Sequence, residues 1–136
     1  MANYVAICRS NYFKVVDENN WIEFCERMGV ESVVEWSTEY QCNLYGFLVP
    51  NGEGIPVSIW NEDINDSEDV DFVIELSHHL PEDWVAIIME VGFEKMRYLI
   101  GYALAVNHFG EQELVALDTI YDQAKNLGKN ITLAEY

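Results

Sequence analysis

Between Met96 and Asn107 the chain reads MRYLIGYALAVN, apolar at odd and even positions alike. A strand with that pattern is apolar on both faces, which suits the centre of a sheet rather than its rim. Helical spacing also fits residues 94–107, and periodicity alone does not separate the two. Gly101 within the run and the turn-forming Asn107-His108-Phe109-Gly110 after it favour the strand.

The remaining segments supply partners for such a strand. Tyr4 to Val16 predicts a first strand. Asp17 caps a helix that shows Trp21, Phe24, Cys25 and Met28 on one face and stops at Gly29. Strands follow at Glu31–Ser37, Asn43–Val49 and, beyond the turn Pro50–Gly54, at Ile55–Trp60. Asn61 to Ser67 reads as a polar loop, with Ser67 as N-cap of a helix over 68–80 that Pro81 stops. Trp84 to Val91 opens a meander that continues through the 96–107 strand and Glu113–Leu117. Asp118 then caps a last helix ending near Gly128, with Lys125 and Lys129 at its negative end. The order β-α-β-β-β-α-β-β-β-α predicts an α+β fold: an antiparallel sheet of five or more strands with about three helices packed on one side.

Residues 1–136 fit one domain, and a chain of this length buries roughly two thirds of its unfolded surface without staples. Half the residues are hydrophobic, so the acidity does not signal disorder. Cys8, Cys25 and Cys42 form no CxxC pair and read as reduced, mostly buried thiols. No run approaches the roughly 20 apolar residues of a membrane helix, and the first residues lack the pattern of a signal peptide. A soluble protein of the host cytoplasm is therefore expected.

Motifs for catalysis are missing. The glycines fall in no phosphate-loop frame, and neither GxSxG nor HExxH occurs. Asp63, Asn65 and Ser67 have the spacing that opens a calcium loop. Glu68, however, stands where that loop turns on glycine, and Ile74 where it needs a bidentate glutamate. His78-His79 has no partners at metal or nucleophile spacing and is expected to sit in a last helical turn, partly protonated and favoured by the helix dipole. Trp21, Phe24, Phe72, Trp84, Tyr98 and Tyr102 fall on apolar periodicities and read as core. Arg97, in an apolar strand, needs an acid, and Glu90 across the hairpin is the candidate. No catalytic residue, metal or cofactor is implied.

The charge carries the functional information. The net charge is −17, far beyond the magnitude of about 2–8 that solubility requires. Residues 1–27 and 95–136 are each nearly balanced, whereas residues 28–94 hold fifteen acids and no Lys or Arg. Glu31, Glu35 and Glu39 have the even spacing that places them on one strand face, about 13 Å apart. Glu53 follows at a turn, and Glu62, Asp63, Asp66, Glu68, Asp69, Asp71, Glu75, Glu82 and Asp83 crowd into the next stretch. A helix N-terminus excuses Glu68, Asp69 and Asp71, at about 0.3–1 kcal/mol each, but not the rest. These thirteen acids are the candidate partner-binding residues. Such a surface matches what a basic groove meets on DNA, so the expected partner is a basic nucleic-acid-binding protein or nuclease complex, neither nucleic acid itself nor a membrane.

In size, charge and lack of active-site motifs the chain resembles the small acidic anti-restriction and anti-CRISPR proteins of phages and plasmids. Ser10-Asn11-Tyr12-Phe13 and Arg97-Tyr98-Leu99-Ile100-Gly101-Tyr102 are similar to segments of small proteins carried on mobile elements. The resemblance implies a DNA-mimicking inhibitor of a host defence nuclease or surveillance complex. An immunity protein or antitoxin that plugs a basic toxin site, and a general acidic interaction module, remain as alternatives.

Overall fold

The computed structural model describes residues 4–95 and 97–135. Along them run β1 (Tyr4–Ser10), α1 (Glu18–Met28), β2 (Glu31–Ser37), β3 (Cys42–Leu48), β4 (Ser58–Asn61) and β5 (Asp66–Asp69). Then come α2 (Phe72–Ser77), β6 (Ala86–Glu94), β7 (Tyr98–Val106), β8 (Gln112–Ala116), a 3-10 turn at Leu117–Thr119 and α3 (Ile120–Ala124). Six strands form one antiparallel sheet in the order β2-β3-β1-β6-β7-β8, and β4 pairs with β5 as a separate hairpin. The α+β class and the sheet of more than five strands are as expected. So is the strand, not helix, at 98–106, although Met96 lies outside the described residues.

α1 forms where its sequence signals place it. The Asp17 carboxylate accepts the Asn20 N–H at 2.9 Å, and Gly29, at φ 72°, closes the last turn on the carbonyls of Cys25 and Glu26. Its buried face packs into an aromatic core. Trp21 meets Phe13 edge-on at 5.3 Å, Phe24 lies 5.4 Å from Phe72, and Phe72 lies 5.1 Å from Phe47. Each such ring contributes on the order of 1.5–3 kcal/mol by leaving water. The Trp21 indole N–H donates to Ser32 Oγ at 3.0 Å, which ties the helix to β2.

The first strand is shorter than its sequence suggests, because Ser10 and Asn11 replace the ladder with side chains. Ser10 Oγ accepts the Phe47 N–H at 2.8 Å, while Asn11 Oδ1 accepts from Ile87 N at 2.7 Å. The chain leaves the sheet there and returns only for one bridge, Phe13 with Tyr45. The predicted strand at Ile55–Trp60 starts late, at Ser58, beyond Pro56, which has no N–H to pair.

The helix expected over 68–80 needs correction. Residues 66–69 are a strand, Asp71 rather than Ser67 caps, and α2 covers only Phe72–Ser77. A helix from Glu68 would stack Glu68 on Asp71, like charges at i,i+3, whereas Asp71 and Glu75 keep their i,i+4 relation in α2. The hairpin takes Glu68 off the helix, through a turn at Glu62–Asn65 with Asn65 in the left-handed region at φ 52°. The last helix is also overdrawn: Asp118 sits in the 3-10 turn and caps nothing, and α3 has five residues with no buried side chain. A helix this short gains little without packing.

α1 and α2 cover one side of the sheet. Ala6, Cys8 and Ser10 of β1 point towards them and are buried, while Val5, Ile7 and Arg9 point away and are exposed. The expectation of all helices on one side fails for the C-terminal turn. Leu117 sits over Gly101 on the opposite face, where a Cβ on that glycine would come within 2.8 Å of its methyl.

Candidate functional site

The thirteen acids do not form one row. Glu31 and Glu35 share a face of β2, the edge strand, opposite Leu48 and Leu44 in register. Glu39 falls outside that row, because β2 ends at Ser37 and residues 38–41 turn, so the three-carboxylate row read from the sequence is two carboxylates long. Glu53 is exposed in the loop between β3 and β4, and Glu82 and Asp83 occupy the turn before β6.

The densest group lies on the β4–β5 hairpin and its turn. Glu62, Asp63, Asp66 and Asp69 are all exposed there, beside an exposed Trp60. The register pairs Asn61 with Asp66 and Ser58 with Asp69, so the two aspartates project on opposite faces of the hairpin. Four acids have local partners. Asp66 accepts the N–H of its neighbour Ser67 at 2.7 Å. Glu68 accepts from Asn61 Nδ2 at 2.6 Å, Asp71 caps α2 through the Ile74 N–H, and Glu75 pairs with Arg27 at 2.7 Å. Among the described residues, the only other ion pair joins Lys125 to Asp122. The hairpin carboxylates thus face solvent without a cation in reach.

One acid of the basic-free stretch is buried. Glu90, 7% exposed, accepts from Tyr4 Oη at 2.7 Å, Tyr102 Oη at 2.9 Å and the Ile55 N–H at 3.0 Å. Two glycines make this possible. Tyr4 lies over Gly92, where a Cβ would come within 2.6 Å of its ring, and the loop after β3 passes at Gly54, where a Cβ would come within 2.6 Å of both Glu90 oxygens. Arg97 is not the partner expected for Glu90. It sits in the β6–β7 turn with its guanidinium 5.0 Å from the Tyr98 ring centroid, while the register sets Glu90 against Tyr102. Burial, then the Glu90 carboxylate, raises the Tyr4 and Tyr102 hydroxyls well above the ordinary tyrosine range. Burial also pushes the Cys8 thiol up to about 12, reinforced by Glu90.

The other titratable candidates lie apart from this cluster. Cys25 is buried and likewise pushed up to about 12, and Cys42 is half-buried; no cysteine is paired. His78 caps α2, as its place in the last turn implies. His79 does not fit the expected partly protonated state: it packs 4.7 Å from the Phe24 ring centroid and 5.9 Å from that of Trp21, and burial lowers its pKa. Trp21, Phe24 and Phe72 are core, but Trp84, Tyr98 and Tyr102 are only half-buried. Among the described residues no group of three or more His, Cys, Asp or Glu gathers at a metal-holding geometry. Nor is any of their helices long and apolar enough to cross a membrane.

The face of the sheet turned away from α1 and α2 was not singled out by the sequence reading. Strands β1, β6, β7 and β8 present Ile7, Met89, Val91, Phe93, Leu99 and Val115 to solvent there. Shallow apolar grooves run between these side chains, one lined by Val5, Ile7, Val91, Phe93 and Leu99, another by Met89, Val91, Ala103, Val115 and Leu117. The signal is present in the sequence as alternation, since Ile87, Met89, Val91 and Phe93 are apolar at every second position while Ile88 and Ala86 fill the other side.

The chain matches no family model, no curated protein and no solved structure.

Proposed function

We propose that the protein is a non-catalytic inhibitor that binds the nucleic-acid-binding surface of a host defence complex or nuclease through its acidic side. The observation that carries this reading is the β4–β5 hairpin. Glu62, Asp63, Asp66 and Asp69 stand exposed on it, inside a stretch of residues 28–94 without Lys or Arg. An ordinary solvated surface mixes signs; one sign held over this length produces a field that steers a basic groove towards it and keeps nucleic acid away. The hairpin is a two-stranded ribbon packed on the core through Ile59, and among the described residues its exposed acids have no internal ion pairs to break before they meet Lys and Arg.

The test is capture from a bacterial lysate followed by competition. Bound protein is expected to be displaced by duplex DNA, and association to slow as salt shortens the Debye length below about 8–10 Å. Converting Glu62, Asp63, Asp66 and Asp69 to Gln or Asn should weaken the complex at least about tenfold, near 1.4 kcal/mol, whereas Asp118→Asn with Asp122→Asn should change it little. A ternary complex with DNA at full affinity, together with unchanged binding by the folded four-site variant, would overturn the reading.

A further inference from the structure

We infer that the bare face of the sheet is a self-association surface, on which a second copy of this chain packs face to face about a twofold axis parallel to the strands. Three observations lead there. The first is area. Four adjacent strands, β1, β6, β7 and β8, of seven, nine, nine and five residues, form this face, and Leu117 covers it only at Gly101. At about 4.8 Å between strands and about 3.3 Å per residue, these strands span about 480 Å² before corrugation is counted. Two copies together bury about 950 Å² before corrugation, close to the roughly 1,000 Å² of a specific interface. Monomeric proteins rarely leave contiguous apolar faces of several hundred Å² in water.

The second observation is where the charges of this face lie. The register sets Arg9, Met89, Ala103 and Val115 side by side in one row across β1, β6, β7 and β8. Glu113 is the next residue along β8 on the same face, opposite Ala105. The base and the acid therefore stand on the two outer strands of the patch, and both are exposed. Neither makes an ion pair among the described residues. A twofold axis parallel to the strands lays β1 of one copy over β8 of the other and keeps each row against itself. Arg9 then faces the second copy's Val115, with that copy's Glu113 one same-face step away, about 6.8 Å along the strand. The symmetry makes the pair twice. An axis perpendicular to the strands would instead set β1 over β1 and separate the charges.

The third is repulsion. Each copy carries −17, and on this face β1, β6, β7 and β8 present a single acid, Glu113, with Glu31 and Glu35 of β2 beyond them, so the four strands are where two copies approach at low cost. The β4–β5 hairpin is reached from the side of the sheet that Glu90 faces, since Ile55 on its approach donates to that carboxylate. A dimer built this way leaves both β4–β5 hairpins pointing outwards.

Sedimentation velocity over about 1–200 µM reads the association directly, with Kd in the micromolar range expected. Raising salt should tighten the dimer, because like-charged copies are being screened, the opposite sign to that expected for the acidic complex. Val91→Lys, at an exposed central position, should leave the melting temperature nearly unchanged and raise Kd at least tenfold; Val115→Lys serves if the first variant misfolds. Arg9→Glu and Glu113→Arg should each weaken the dimer several-fold, and the double exchange should restore it, which a merely structural role would not do. A parent chain that stays monomeric at 200 µM overturns the proposal, including the case in which some other protein covers the face. A dimer indifferent to Val91→Lys and Val115→Lys places the contact elsewhere and overturns it too. Failure of the double exchange to restore affinity overturns the stated axis.

Discussion

Replacing Glu90 by Leu should destabilise the protein by about 2–4 kcal/mol, a net of two opposed terms. Hydrogen bonds to a charged group contribute about 1.5–3 kcal/mol each, and Glu90 accepts three. Against them stands the desolvation of a carboxylate with no cation in reach among the described residues, a cost of several kcal/mol that the substitution removes. The Tyr4 and Tyr102 hydroxyls are only half-buried and recover part of their loss by turning to water. With an unfolding entropy of about 0.29 kcal/mol/K for 136 residues, the net corresponds to a fall in Tm of about 7–14 °C by calorimetry or circular dichroism. The triple variant Tyr4→Phe/Glu90→Leu/Tyr102→Phe should recover more than half of that loss, because apolar groups of matching shape then replace donors left without an acceptor. A single variant within 2 °C of the parent, or a triple variant no more stable than the single, would refute this account of the cluster.

Three further outcomes are expected. Tyr4, Tyr102, Cys8 and Cys25 hold their protons more tightly folded than unfolded, so their contribution is complete below the unfolded values, about 8.5 for Cys and about 10 for Tyr, and is lost as pH rises towards the folded ones. The urea midpoint should therefore fall from about pH 8.5 upwards, less steeply above about pH 10 in Tyr4→Phe/Tyr102→Phe; a flat profile to pH 11 would contradict it. A thiol reagent should modify half-buried Cys42 first and reach buried Cys8 and Cys25 only as the chain unfolds, a sequence read by mass spectrometry under increasing urea. Asp17→Ala should cost about 1 kcal/mol through loss of the α1 cap, measured by urea unfolding, with Asp17→Asn close to the parent.

The legible parts of this fold are those in which local chemistry and tertiary packing agree. Asp17 and Gly29 bound α1 in the sequence as in space, because the apolar stripe between them is also the stripe the core needs. The 66–77 region is where they part. Ser67 and Asp71 are both competent caps, and repulsion between Glu68 and Asp71, with pairing of 66–69 to β4, decides between them. Of the candidate site, the concentration of acids in residues 28–94 is legible, but which acids are spent locally is not. Glu75 meets Arg27 and Glu90 meets Tyr4 across 48 and 86 residues of chain, contacts no spacing rule encodes. The bare face hides for another reason. Alternation shows that both sides of β6 are apolar, yet it takes the placement of α1 and α2 to show that only one side is covered.

The two outermost strands of the sheet bear on how the folded chain behaves when crowded. An open sheet offers unpaired N–H and C=O groups along each outer strand, and these are where ordered fibres grow by adding strands. Here β2 carries Glu31 and Glu35 on one of its faces, and β8 is five residues long with Glu113 near its start. Another copy arriving in register at β2 would stack carboxylate on carboxylate, and one arriving at β8 would find little length to pair. The sheet therefore stops at six strands by its own chemistry, and copies meeting at high concentration lack a neutral seam along which an amyloid-like stack could start.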